Sequence, residues 1–153
     1  MQHREASVPA RPRLLLVEDS FTVAEGLKVV LEGLGFAIVG MAGTVEKAVA
    51  LVGTRDFELA IVDINLHGET AAPVVSALQQ RGKPLVYLSG YSDTGMLPSH
   101  LRGYPHLGKP IDPDALAAVL RELLHGGPVG MTSGDDTARR GTIGRSAKDE
   151  WLR

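Results

Sequence analysis

The chain reads as an α/β protein built on a doubly wound, five-stranded parallel sheet between two layers of helices, a three-layer α/β/α arrangement. Three observations lead there. Short apolar runs alternate with segments of helical spacing. The runs are rich in Val, Ile and Leu and too short for helices, as strands buried on both faces are. Cap residues stand at the joints between the two kinds of segment.

The first run is residues 14–17, followed by Ser20 as a helix cap, an apolar stripe at Val23, Leu27, Val30, Leu31 and Leu34, and Gly35 as a stop. Residues 37–41 form the second run, and Thr44 caps the helix after it. The third and fourth runs are residues 59–62 and 85–88, with a helix between them. Beyond the fourth run, Gly90, Gly95, Pro98 and Gly103 break any long helix between residues 92 and 102, so this segment reads as soft and mobile. A weak fifth strand is expected at residues 104–107. Asp112 and Pro113 then supply a cap and a first-turn proline for a last helix striped with Leu116, Val119, Leu120, Leu123 and Leu124.

Composition bounds the function. At 153 residues with 44% hydrophobic content, the chain suits one globular domain with a core able to stand without staples. It has no cysteine, which excludes disulfides, thiolate metal sites and cysteine nucleophiles. A net charge of −2 with scattered Lys and Arg offers no field for a phosphate backbone, so nucleic acid is not an expected partner. The opening residues lack an apolar stretch of signal or membrane length, and a cytoplasmic location with no membrane contact is expected. We divide the chain into an N-terminal extension (residues 1–11), a domain (12–125) and a flexible tail (126–153) that is poor in aliphatic residues. The tail ends in SAKDEWLR, where Ser146, Asp149 and the sole Trp, Trp151, could form a short docking helix or a plain disordered end.

In a doubly wound sheet, ligands sit outside the carboxyl ends of the strands. Glu18 and Asp19 end the first strand and Asp63 ends the third. Three carboxylates on one edge repel one another and persist cheaply with a cation among them, and hard oxygen ligands favour Mg²⁺ or Mn²⁺. Ser89 follows the fourth strand and Lys109 the fifth, with Pro110 behind it and a cis bond possible between them. A metal cage, a nucleophilic carboxylate, a hydroxyl and a fixed cation are the parts of phosphoryl transfer to an aspartate. Taken singly, each has a plainer reading: an acidic pair also caps a helix, and a serine also makes a turn. The five histidines show no metal spacing and are expected on the surface.

Glu18-Asp19 after LLLV, Asp63 after AIV, Ser89 after LVYL and the Lys109-Pro110 pair resemble the receiver domain of two-component response regulators over about residues 12–125. That resemblance implies a flavodoxin-like strand order 2-1-3-4-5. It also implies Asp63 as phosphoacceptor and Mg²⁺ (or Mn²⁺) held by Asp19, Asp63, the Asn65 backbone carbonyl and, largely through water, Glu18. Lys109 would neutralise a phosphoryl oxygen and Ser89 would bond another, drawing its loop inward. The implied partners are a sensor histidine kinase and a downstream protein target or phosphotransfer protein. The implied oligomeric state is a monomer or weak dimer, and the protein a signalling phosphoacceptor rather than an enzyme.

The run KPLVYLSGYSDTGMLP also resembles a receiver subgroup with a Phe-Ala-Thr-Gly-Tyr-like motif after strand four, which lacks the usual aromatic switch. Here His106 holds that aromatic position, and Tyr104 is not its evident substitute. The soft segment is expected to order on phosphorylation and, with the fifth strand and last helix, to form the contact face. Asn65 and Tyr91 are expected to flank the path of hydrolytic water, with Tyr91 shielding the phosphoryl group, so that Tyr91→Ala would speed hydrolysis. With no room for an output domain in the tail, a single-domain regulator that switches contacts, relays or drains phosphate is expected. A phosphorylation-independent scaffold is the alternative. Haloacid-dehalogenase phosphatases and flavodoxins fit less well, since the first strand ends in EDS rather than DxDx[TV] or a Ser/Thr-rich phosphate loop.

Overall fold

A computed structural model describes residues 11–90 and 93–126. In chain order it contains β1 (Arg13–Val17), α1 (Phe21–Gly33), β2 (Ala37–Ala42), α2 (Val45–Thr54) and β3 (Leu59–Asp63). A small hairpin follows, β4 (Asn65–Leu66) and β5 (Glu69–Thr70), then α3 (Ala72–Gln80) and β6 (Leu85–Ser89). Two 3-10 turns (Asp93–Met96 and Ser99–Leu101) lead to β7 (His106–Gly108) and α4 (Pro113–Leu124). The main sheet is parallel throughout with order β2-β1-β3-β6-β7. That is the expected 2-1-3-4-5 once the hairpin strands are counted.

Successive strand residues point to opposite faces, so each apolar run feeds two cores at once. Leu15, Val17, Ala60, Val62 and Tyr87 meet α2, α3 and the 3-10 segment. Leu14, Leu16, Ile61, Val86 and Leu88 meet α1 and α4. The predicted caps are in place: Ser20 Oγ accepts from Val23 N, Thr44 Oγ1 from Lys47 N, and Asp112 from Asp114 N. Gly35 follows α1 at φ +100, the left-handed conformation that favours glycine. At Gly40 a Cβ would come within 2.9 Å of Leu15 Cδ2, where the β1–β2 register shifts by a residue.

Two expectations change, and two features are added. Val23 is 39% exposed, and the buried side of α1 is Ala24, Leu27 and Leu31, because the small Ala24 lets the helix lie close to the sheet. The fifth strand is His106–Gly108 rather than 104–107, since Pro105 has no N–H for the ladder and contributes only its carbonyl, to Tyr87 N at 2.8 Å. The hairpin β4–β5 was not foreseen; its two central residues, His67 (φ 55) and Gly68 (φ 87), both have positive φ, as a tight two-residue hairpin requires. The segment read as soft holds two 3-10 turns, packed through the buried Leu97 and Leu101, and no long helix. The tail, with Ser146, Asp149 and Trp151, and the residues before 11 lie outside the described residues. Among the described residues no helix is long and apolar enough to cross a membrane.

Candidate functional site

Glu18 continues the β1 ladder, its N–H donating to Ala42 O at 3.0 Å, and this turns its side chain in under the sheet end, where the residue is 3% exposed. Its Oε2 accepts from Ser20 N at 3.0 Å. Asp19 lies further out, its Oδ2 accepting from His67 N at 2.8 Å with His67 Nδ1 3.6 Å away. Asp63 is the last residue of the central strand β3 and is 1% exposed. Its Oδ1 accepts from Asn65 N at 3.1 Å and its Oδ2 from Lys109 Nζ at 2.8 Å.

Lys109 follows β7, held by its N–H to Ser89 O at 3.1 Å, and the Lys109-Pro110 bond is cis. Its ammonium reaches both buried acids, with Glu18 Oε1 at 3.2 Å. Ser89, buried at the end of β6, stands one residue beyond the β3–β6 register pair of Asp63 and Leu88. The five positions read from the sequence therefore meet at one sheet edge.

Ligand oxygens of Glu18, Asp19 and Asp63 all lie within 4.8 Å of one another. One lysine does not balance three carboxylates. Burial first, and then the charge of Asp63, push the Glu18 carboxyl up to about 7 despite the Ser20 N–H and Lys109. Asp19 goes the other way: burial opposes it, but the His67 N–H, the Glu18 carboxyl and Lys109 hold it below the usual range. Lys109 is raised, the loss of solvent being outweighed by its hydrogen bond to Asp63 and the two acidic charges.

The donor set fits Mg²⁺ or Mn²⁺. It is all oxygen, and buried Glu18 Oε1 has the Lys109 ammonium at 3.2 Å but no hydrogen bond of good geometry among the described residues, which leaves a lone pair for a cation or its water. The Asn65 side chain is committed elsewhere, its Oδ1 accepting from Gly68 N at 2.7 Å, while the Asn65 backbone N–H donates to Asp63 Oδ1. Tyr91 lies outside the described residues.

His106 corrects the surface reading of the histidines. It is half-buried, its ring 4.9 Å from that of Tyr87 and its Nδ1 3.0 Å from Tyr104 O, because β7 places it beside Tyr87 in register. His67, His100 and His125 are exposed.

Sequence reasoning missed two supports of the site. His67 holds Asp19 from the hairpin turn, and Asp93 Oδ2 accepts from Gly90 N at 2.7 Å, next to Ser89. Gly68 was the available signal for the first, as a turn glycine five residues after the end of β3.

Comparison with known proteins agrees with this geometry. Residues 14–121 match the family model of the response regulator receiver domain. The solution structure of SdrG from Sphingomonas melonis Fr1 is 38% identical, covers 76% of this chain and 99% of its own, and superposes with a TM-score of 0.67. The BeF3-activated conformation of SdrG from Pseudomonas melonis Fr1 is 39% identical, covering 73% and 95%, with a TM-score of 0.62. The DNA-binding response regulator MtrA of Mycobacterium tuberculosis (strain H37Rv) is 31% identical over 121 residues, 74% of this chain and 51% of MtrA. The chain spans about half the length of the curated relatives it matches. A parallel five-stranded sheet that gathers three carboxylates, a serine and a lysine at one edge, over a length that the family model covers for the most part, makes this chain a member of the response regulator receiver domain family.

Proposed function

We propose that this receiver accepts a phosphoryl group on Asp63 from a phosphohistidine of a sensor histidine kinase, with Mg²⁺ or Mn²⁺ bound, and that the modified domain changes its protein contacts or passes the group on. The observation that carries the reading is Lys109 Nζ held 2.8 Å from Asp63 Oδ2 and 3.2 Å from Glu18 Oε1 at an edge where Asp19 completes an oxygen cage. A carboxylate oxygen of Asp63 forms the new bond to phosphorus as the phosphorus–nitrogen bond breaks, and the electron pair leaves with the imidazole.

The cation, when bound, offsets charge on the transferring oxygens. Asp19 and Asp63 would hold it directly, with the Asn65 carbonyl as a third ligand and Glu18 acting through water. Lys109 turns from Asp63 to the equatorial phosphoryl oxygen, and the Ser89 hydroxyl donates to another. A charge-assisted hydrogen bond of ~1.5–3 kcal/mol shifts a two-state balance by roughly ten- to a hundred-fold.

Protein partners suit the net charge of −2 better than nucleic acid. A cytoplasmic place for the reaction follows from its phosphodonor. The face made by the 3-10 segment, β7 and α4 is the proposed contact surface.

Intact-mass spectrometry after incubation with acetyl phosphate tests the reading, run with Mg²⁺, with chelator and on Asp63→Asn. One phosphoryl adduct that needs both the cation and Asp63 is expected. No adduct, together with no fluoroberyllate complex, would replace this reading with a scaffold that acts by binding alone.

A further inference from the structure

Tyr87 is fully buried in β6, two residues before Ser89, so the two side chains leave the strand on the same face. Its ring packs in the core that also holds Leu97 and Leu101, with Tyr104 edge-on at 6.0 Å. A phenylalanine would fill this space equally well. The hydroxyl does something further: it donates to Leu101 O at 2.6 Å, fourteen residues away in the chain. That carbonyl ends the second 3-10 turn, where backbone acceptors lack a helical partner, and a buried phenol left unpaired would itself be costly.

The 93–101 segment is thus held at two ends. At the far end it has Tyr87, with Arg102 Nε closing on Leu97 O at 2.9 Å. At the near end it has the Asp93 carboxylate on the amide of Gly90, the residue bonded to Ser89. The two holds differ in kind, since the first is buried in the sheet interior and the second is only partly buried at the strand end.

We propose that Tyr87 is a positioning residue whose hydroxyl pins Leu101, so that the 93–101 segment is a strap hinged at its far end and moved at its near end. The motion rests on the phosphoacceptor reading. When Ser89 turns toward a phosphoryl group on Asp63, the Gly90 amide moves with it and the contact with Asp93 is the one that yields. The segment then swings about Leu101 rather than loosening as a whole.

Tyr87→Phe keeps the ring and removes the pin. Amide exchange by NMR is expected to rise about tenfold at Leu101 and Arg102, whose N–H groups bond within the 3-10 turn, with the β3 amides unchanged. Asp93→Ala, which frees only the near end, should leave those two amides within about twofold of wild type. With Mg²⁺ and fluoroberyllate, wild-type shift changes should concentrate at Gly90 and residues 93–96; in Tyr87→Phe they should extend through residues 99–103.

Equal exchange at Leu101 and Arg102 in wild type and Tyr87→Phe would overturn the pin. A bound fluoroberyllate signal with the same shift pattern in both proteins would overturn the hinge. Absence of that bound ¹⁹F signal from both would overturn the phosphoacceptor reading and the motion built on it, while the exchange comparison still decides the pin.

Discussion

Glu18→Gln should make the metal-free protein more stable at neutral and alkaline pH. Glu18 is buried beside Asp63, and its carboxyl is raised from an ordinary 4.5 to about 7, first by burial. Between those values the folded protein keeps a proton that the unfolded chain has released. Raising the pH through that window therefore weakens the fold, and the loss is complete somewhat above pH 7. At about 1.4 kcal/mol for each tenfold in proton affinity, the whole window is worth about 3 kcal/mol. Glutamine does not titrate, so the variant should match wild type near pH 4.5 and exceed it at pH 8 by about 3 kcal/mol, or about 10 °C in Tm for a domain of this size.

Urea unfolding of both proteins with chelator, at intervals from pH 5 to pH 8, reads the effect directly. Asp19 and Glu58 are held below their ordinary 3.8 and 4.5; for both, burial opposes the fall, and the His67 N–H and the Arg13 pairing respectively overcome it. Their stabilising contributions are lost only as the pH falls below that window, so they do not confuse it. Groups that titrate alike in the two proteins cancel in the difference. Mg²⁺ added at pH 8 should return stability to wild type and much less to the variant. Parallel pH curves for the two proteins between pH 5 and 8 would refute the argument that a buried, proton-hungry Glu18 strains the empty cage.

Lys109→Met removes the cation that pairs with both buried carboxylates, and should cost about 3 kcal/mol at pH 8 with chelator, shrinking as Mg²⁺ is added; a loss insensitive to Mg²⁺ in thermal melts would contradict this. Thr44→Ala and Asp112→Ala each delete a cap bond and should each cost about 1 kcal/mol in urea unfolding, additively because the helices are separate. Gly68→Ala forces a side chain into φ +87 in the turn that presents the His67 N–H to Asp19. It should cost about 1 kcal/mol or more and weaken Mn²⁺ binding in calorimetry, and unchanged binding would detach the hairpin from the cage.

The legible parts of this protein are those where one residue type answers one local demand. Thr44 caps because its hydroxyl reaches an N–H three residues on, and the strands of the sheet are apolar because both faces are covered. The five edge positions could be read because strand ends are where such a sheet presents chemistry, and the carboxylates, serine and lysine stand there in order. What was not legible depends on distance in three dimensions. Val23 and Ala24 are both apolar, and only the depth at which α1 lies on the sheet decides that Ala24 is buried. His106 looks like a surface histidine until β7 sets it beside Tyr87. The broken glycine pattern of the 93–101 segment rightly spoke against a long helix. It said nothing of the hydroxyl across the fold that bonds to the Leu101 carbonyl at its end.

The same distinction bears on why the site can be both strained and well placed. Glu18, Asp63 and Ser89 stand at the ends of β1, β3 and β6, three adjacent inner strands whose preceding residues are almost wholly buried. Two of the acids are held there against their repulsion by packing that does not involve them, with Lys109 brought in from the next strand as partial compensation. A cluster on loops could relax by moving apart. This one can relax only by taking up a proton at Glu18 or by taking up a cation, so the backbone order that makes the edge costly when empty is what keeps it ready to bind.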